Sequence, residues 1–448
     1  MSSRIKVDKG LDIPIVGSPE QSIGPGQSVQ TVALLGADYI GLKPQILVEP
    51  GQFVGQGEPL FLDKRNPAVQ FTSPGTGRVA MVNRGRHRVL QSVVIELDET
   101  VASEKTFDRE RSQDRGAIRD LLLQSGAWTG FKTRPYGRVP NSADEPCSLF
   151  ITAVDTRPLA ANPNVVVAQR QDEFSKGMQV VSQLCEGPVF LCTGSDWSGP
   201  EPYEDKIQRV EFQGPHPSGG PGTHIHYLNP VDASRTVWHI DYQDVISIGH
   251  LFETGRLLNE RVVSIGGPGV AKPRLVRTRL GVSISELLVN ETVASKIWQL
   301  ISGSVLDGVI AEGPMAFLGR YHNQVSVVAD QVESRRFGWC GGGTEQYSFS
   351  SPFAAIRRQG LLREFSTAQN GRRAAMIPGE VFERALPLDI LPAPLLRALL
   401  IKDTDAAQQL GCLELAEEDL ALCSFVCPAK QDYGAALRVN LEQIEKEG

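Results

Sequence analysis

"ILVEPGQFVGQGEPLFLDKRNPAVQFTSPGTGRVAMVNRGRHRVLQSVVIEL", residues 46–97, alternates short apolar runs with glycines at Gly51, Gly55, Gly57, Gly75 and Gly77. Each glycine supplies a position where the backbone can take positive φ without steric cost. Apolar runs this short, interrupted this often, predict hairpins and not helices. Residues 31–100 therefore read as a compact hairpin-rich barrel.

Upstream, residues 1–30 are punctuated by Gly and Pro and read as an extended arm. Downstream the period changes. "QDRGAIRDLLLQSG" places Ile118, Leu121, Leu122 and Leu123 on one side of a helix, with Gly126 as its C′ residue. The runs "CSLFITAVD", "NVVVAQR" and "PVFLCTG" read as buried strands, with the helical pattern "EFSKGMQVVSQLCEG" between the last two. Strand, helix, strand predicts a parallel α/β domain over 101–254. From 255 to 335, "ERVVSIGGPGVAKPRLVRTRLGVSISELL" gives two strands and a helix opened by a Ser283/Glu286 capping box, followed by "DGVIAEG" and "QVSVVAD" as strands. This pattern suggests a β-grasp-like domain. Residues 336–448 read as helical, with "APLLRALLIKDTDAAQQLG" ending at Gly411.

At 448 residues the chain is too long for one core, and two to four domains are expected from roughly 100–200 residues each. The net charge of −7 argues against a nucleic-acid partner, which a basic excess would serve. The basic run Arg84, Arg86, His87 and Arg88 reads as a solvated face. Seven irregularly spaced cysteines give no disulfide framework, so a reducing compartment is expected. "MSSRIKVDKGLDIPIVG" has no apolar signal core. The most apolar stretch, "LDILPAPLLRALLIKD", is broken by Pro392, Pro394 and Arg397, so no membrane-spanning helix is expected.

Few residue patterns point to chemistry. Gly266-Gly267-Pro268-Gly269 leads into strand-like sequence, and Gly341-Gly342-Gly343 has no following Lys-Ser/Thr, so neither fits a phosphate loop. "GPHPSGGPGTHIHYLNP" holds His216, His224 and His226. If that segment is extended, His224 and His226 share a face, a spacing compatible with a metal, although its Gly/Pro density reads as a loop. No nucleophile elbow is present. "CSFVCPAKQDYG", residues 423–434, has the ending of a Cys-x2-Cys-x2-Cys-x3-Cys-Pro cluster motif. Counting back from Cys427, the remaining ligands belong at 423, 420 and 417, where Cys423, Leu420 and Glu417 stand. Two thiolates do not hold a four-iron cluster, so these positions read as a vestige and not as ligands.

The barrel stretch resembles the biotinyl/lipoyl carrier fold through Val48, Gly51, Val54, Gly57, Leu60, Ser73-Pro74, Gly77 and Val79. Lys64 lies where a carrier lysine would, but Arg65-Asn66-Pro67 and a stretched spacer depart from the pattern. An adduct on Lys64 would mark an acyl- or biotin-type carrier. Over its whole length the chain resembles the A subunits of the sodium-translocating NADH:quinone oxidoreductases (Na+-NQR) of bacterial inner membranes. The residues that carry this are "IKVDKGLDIPIVGSPEQ", "FTSPGTG", "GPHPSGGPGTHIHYLNP", "RVVSIGGPGVAKPRLVRTRLG" and "CSFVCPAK". More distantly it is similar to the C subunits of Rnf-type complexes and to the flavin subunit of complex I.

The resemblance implies a multidomain α/β plus β fold: arm, lipoyl-like barrel-sandwich, Rossmann-like domain, β-grasp (SLBB-like) domain and helical C-terminal region. It also implies a cytoplasmic peripheral subunit of a sodium-transporting NADH:ubiquinone reductase, at the inner membrane and at the quinone end. NADH, FAD, FMN, riboflavin, iron–sulfur centres and the main ubiquinone chemistry would belong to other subunits, above all a quinone-associated membrane subunit. In the distant relatives a glycine-rich loop binds FMN. Here "SGAWTGFKTRPYG" puts Trp128 and Thr129 in that loop, with side chains expected to obstruct a phosphate. Arg157-Pro158 replaces their Glu-Pro. These losses imply a subunit without cofactor, with His216, His224 and His226 as candidates for the quinone vicinity. The alternative is an FMN-dependent NADH dehydrogenase subunit with an atypical flavin loop.

Overall fold

The computed structural model describes residues 3–98, 100–101, 103–108, 114–294, 296–330, 347, 349, 361–369, 373–377 and 379–447. The glycine tract at 341–343 lies outside the described residues.

The arm contributes β1 (Ser3–Lys6) and β2 (Glu20–Pro25). Seven strands follow: β3 (Thr31–Leu35), β4 (Pro44–Ile46), β5 (Phe53–Val54), β6 (Pro59–Asp63), β7 (Asn66–Thr72), β8 (Gly77–Arg84) and β9 (Leu90–Leu97). They form two small sheets, ordered β3-β9-β8-β5 and β4-β6-β7. Alternate residues face inward, burying Leu60, Val69, Val79, Val93 and Ile95. Phe61 stacks on Phe71 with centroids 4.6 Å apart. Lys64 and Arg65 are exposed at the end of the β6–β7 hairpin, beside a register shift at Leu62/Asp63.

The second block runs α1 (Arg115–Ser125), β10 (Lys132–Arg134), β11 (Leu149–Ala153), α2 (Pro163–Val167), α3 (Gln171–Ser182), β12 (Val189–Thr193), β13 (Ile207–Gln213), α4 (Pro221–Leu228), β14 (Val237–Asp241) and α5 (Tyr242–Thr254). Its sheet has the order β1-β13-β12-β11-β14-β10, parallel throughout except for β10. Leu149 and Ile151 join the core cluster of α3 and α5, while Phe150 joins Ile225 of α4 in another. The β-branched run "NVVVAQR", expected as a strand, is instead the short helix α2. Pro163 fits its first turn, and the Asn162 side chain accepts from the Asn164 N–H.

Helices α3 and α5 approach closely because Gly177 and Gly249 have no side chain. A methyl at Gly249 would overlap the Glu173 carbonyl, and one at Gly177 the Val245 carbonyl. Gly249→Ala is therefore expected to push the helices apart and cost about 1–3 kcal/mol, read from urea unfolding. An unchanged midpoint would refute the close-packing argument.

The third block comprises β15 (Glu260–Gly266), β16 (Arg274–Arg279), α6 (Ile284–Leu287), β17 (Trp298–Ser302), β18 (Val309–Ile310) and β19 (Gln324–Ala329). Its mixed sheet has the order β18-β17-β19-β15-β16-β2. The arm is thus an edge strand of both larger sheets, β1 beside β13 and β2 beside β16. Only half of the expected capping box forms. Ser283 accepts from the Glu286 N–H, but the Glu286 carboxylate turns away and accepts from the N–H groups of Gln30 (2.6 Å) and Thr31 (3.1 Å). It anchors the end of the arm instead of its own helix.

The C-terminal block holds α7 (Glu380–Ala385), α8 (Pro392–Ile401), α9 (Thr404–Gln409), α10 (Ala421–Val426) and α11 (Tyr433–Glu447) around one core that includes Leu395, Leu396, Leu420, Cys423 and Leu437. The helical pattern of 393–411 divides into α8 and α9 at Lys402, whose φ is +61°.

Candidate functional site

In an open parallel sheet, ligands bind beyond the carboxyl ends of the strands, where the strand order reverses. Here that edge is built over by the chain's own charged groups. β11 runs out into Asp155, Thr156 and Arg157. The Arg157 guanidinium meets Asp155 at 3.3 Å, Asp307 of the third block at 3.1 Å and Glu418 of the C-terminal block at 3.0 Å. β10, antiparallel to its neighbour, ends at Arg134 beside Val237 at the amino end of β14. Arg134 is fully buried and reaches Asp419 at 2.6 Å and Glu418 at 2.9 Å, so it joins the network from the other end of the sheet. It also donates to the Glu414 carbonyl at 2.9 Å.

The acidic run 417–419 therefore has three assignments, with Glu417 held by Arg438 at 2.5 and 2.8 Å. Burial by itself would raise the Glu418 carboxyl. The cations Lys132, Arg157 and Arg134 more than offset that and hold it well below the usual range. The network makes one joint of three blocks.

The histidine segment belongs to the same joint, with a geometry unlike the expected one. Residues 221–228 are helix α4, so His224 and His226 do not share a face: two residues on a helix turn through roughly 200°. His224 is fully buried, its Nε2 lies 3.0 Å from the Ser218 carbonyl, and its ring packs on Phe212 at 4.3 Å. Burial pushes its pKa down to about 3. His226 points the other way. Its Nε2 accepts from the Asp389 N–H at 2.9 Å, so Nδ1 carries the proton that faces Glu414 at 2.7 Å. His216 lies in the loop after β13, its Nδ1 3.2 Å from Thr156 Oγ1 and its N–H donating to Asp12 at 2.9 Å. Burial lowers it to about 4. Among the described residues no group of three or more His, Cys, Asp or Glu is placed to hold a metal.

The cluster frame is likewise built into the core. Leu420, Cys423 and Cys427 are fully buried, and Cys427 Sγ lies 3.3 Å from the Tyr433 hydroxyl. Burial pushes the Cys423 thiol up to about 12. The six cysteines among the described residues are free.

The loop 125–137 corrects one expectation. Trp128 does not project into the loop as an obstruction; it turns inward, edge-on to Trp238 at 5.2 Å and Phe131 at 5.6 Å, and donates to the Pro140 carbonyl. The other side of the loop is covered by charge. A methyl on Gly130 would lie 3.2 Å from Asp244 and 3.3 Å from Arg320. Asp244 is itself clamped between Arg261 and Arg320.

Sequence reading missed Arg134, Glu418, Asp419, Asp307 and the Arg261–Asp244–Arg320 trio. The one available signal was the acidic run inside the cluster frame, where ligand spacing would have placed no such charge.

Family models described as "NqrA N-terminal barrel-sandwich hybrid domain", "NqrA second alpha/beta domain" and "NQRA C-terminal domain" match residues 5–98, 113–257 and 262–313. This is a multidomain chain in which a barrel-sandwich precedes an α/β domain and a mixed-sheet domain. It belongs to the family of the Na(+)-translocating NADH-quinone reductase A subunits. Relatives bearing that name from Neisseria gonorrhoeae and Rhodopirellula baltica are each 47% identical over 99% of this chain, covering 100% and 98% of their own lengths. One from Psychromonas ingrahamii is 46% identical over 99% of this chain and all of its own. A solved structure of an NAD+-reducing [NiFe]-hydrogenase shares 12% identity over 75% of this chain and 67% of that chain, with a TM-score of 0.39, a likeness too slight to argue from. Among the described residues no helix is long and apolar enough to cross a membrane.

Proposed function

We propose that this chain is a cofactor-free peripheral subunit of a sodium-transporting NADH:ubiquinone reductase, seated on the cytoplasmic face of the inner membrane against a quinone-associated membrane subunit. It shapes access to ubiquinone, while NADH, the flavins and the iron–sulfur centres are handled by its partners. One observation carries this reading: Arg157, Asp155, Asp307 and Glu418 fill the carboxyl edge of the parallel sheet, where a dinucleotide or flavin phosphate would otherwise sit. The order β13-β12-β11-β14 supports treating that domain as a Rossmann-like unit that kept its frame. The β15–β19 sheet with α6 supports the β-grasp reading.

In this reading the segment of His216, His224 and His226 sets the quinone-access region by holding the α/β domain in place, His226 tying it to Glu414 and Asp389 of the C-terminal block, instead of by direct contact. Cys423 and Cys427, with Glu417 and Leu420, are a cluster frame converted to packing. The domain limits near 30, 100, 254 and 335 follow the same division.

The test is an absorption spectrum with flavin and iron analysis on the purified chain, prepared aerobically and anaerobically. Colourless protein with less than about a tenth of an equivalent of either is expected. Stoichiometric FMN would overturn the proposal and favour the flavin-dependent dehydrogenase reading.

A further inference from the structure

The β8–β9 hairpin ends in Arg84-Gly85-Arg86-His87-Arg88-Val89, which gathers three arginines and a histidine within five residues. The buried and half-buried arginines Arg134, Arg157, Arg261, Arg320 and Arg438 meet carboxylates. At this tip, among the described residues, no carboxylate lies within ion-pair distance of Arg84, Arg86 or Arg88. Arg84 instead donates to the Arg88 carbonyl at 3.2 Å.

The backbone makes the same point independently. His87 (φ +54°) and Arg88 (φ +59°) are both left-handed, a conformation that glycine or asparagine takes at less cost. Arg88 thus carries a long cationic side chain where local geometry favours a short one. Next to them Val89 is 62% exposed, and further down the hairpin Met81 is 52% exposed. All of this stands on a chain whose net charge is −7.

We infer that this hairpin tip seats the chain on an anionic lipid surface, the three guanidinium groups meeting headgroup phosphates while Val89 enters the boundary beneath them. Arginine suits the task because its fork pairs with phosphate and its stem lies along apolar surface. An aliphatic residue among the cations matches a layer with phosphate above hydrocarbon, whereas a nucleic acid offers the tip no such second layer. Acidic repulsion from the rest of the chain leaves the tip as the part that approaches a negative surface. The inference rests on the reading of the chain as a membrane-associated subunit, and it adds a direct lipid contact that such a reading does not require.

The experiment is co-sedimentation of the purified full chain with vesicles of phosphatidylcholine alone or with 30% phosphatidylglycerol (about one anionic lipid in three, enough for a polybasic segment to sense). Binding is expected only to the anionic vesicles, with release on raising the salt. The triple variant Arg84→Gln, Arg86→Gln, Arg88→Gln is expected to weaken it on the order of a hundredfold, each charge being worth roughly fivefold. A control with three other exposed cations neutralised (Lys9→Gln, Arg397→Gln, Lys446→Gln) is expected to bind as the parent does. Equal binding of parent and tip variant overturns the inference, as does failure of the parent to bind anionic vesicles. If the tip variant instead loses the other subunits on co-purification while lipid binding is absent in both, the tip contacts an acidic protein face and the lipid assignment falls. Membership of the complex is read separately, from co-purification of the parent chain, so either idea can fail alone. Both variants change exposed side chains only, and unaltered thermal unfolding verifies that they fold.

Discussion

Replacing Arg134 by methionine is expected to cost about 3–5 kcal/mol, because it strands the buried Asp419 without its cation and takes from Glu418 one of its two arginines. The side chain of Arg134 is 1% exposed, and those of Asp419 and Glu418 are 5% and 20% exposed. Removing one partner of a buried pair is worse than removing the pair, since the desolvation of the remaining charge is no longer offset. The variant carrying Glu418→Gln and Asp419→Asn as well is therefore expected to recover part of the loss. Arg134 joins β10 to the 3-10 turn at Glu417–Leu420, so amide exchange should quicken first in the C-terminal helices. Unfolding monitored by denaturant and by exchange tests this. A loss under about 1 kcal/mol, or uniform quickening across the chain, would show that the joint is held mainly by its apolar contacts.

The buried histidines and acids predict opposite pH responses in two single variants. Burial lowers His224 to about 3, below its unfolded value near 6.5, so the folded chain binds fewer protons there than the unfolded one. That stabilisation is complete above about pH 6.5 and is lost as pH falls toward 3. His216 and His322, each lowered to about 4 by burial, act in the same sense. Asp241 is the reverse. Burial first, then the neighbouring Asp244, raise it to about 7, so its favourable contribution is present below about pH 4 and is lost as pH rises toward 7.

The two effects run against each other in the parent chain and flatten its profile. Single substitutions separate them. His224→Phe keeps the ring contact with Phe212, and its stability relative to the parent should improve by on the order of 3 kcal/mol between pH 7 and pH 4. Asp241→Asn can still accept from the Gln243 N–H at the start of α5. It should improve by a similar amount, roughly 3 kcal/mol, in the other direction, from pH 4 to pH 8. Parallel slopes for the two variants would contradict the burial argument.

Much of the scaffold was legible locally. Of the glycines at 51–77, Gly51 and Gly57 take positive φ as turn residues, while Gly77 has no room for a side chain against the Glu96 carbonyl. α1 ended at Gly126, whose φ is +80°, as its periodicity and C′ glycine required. The strands "CSLFITAVD" and "PVFLCTG" paired in parallel as a helix between them demands. Where the local code was ambiguous the reading failed: "NVVVAQR" has the composition of a strand, and the Asn-Pro before it decided for a helix. The histidine segment failed in the same way, since Pro221 at the first turn of α4 outweighed its glycines.

The amino-acid sequence by itself determined the order of the domains, the absence of a complete cluster-ligand set and the family, because each is written in residues close together in the chain. Only the tertiary structure decided which charged groups meet at the edge of the parallel sheet. Arg134 and Glu418 are 284 residues apart, and no spacing rule links them. Charge pairing of this kind acts through space at about 3 Å, so it becomes visible only once three blocks have folded against one another.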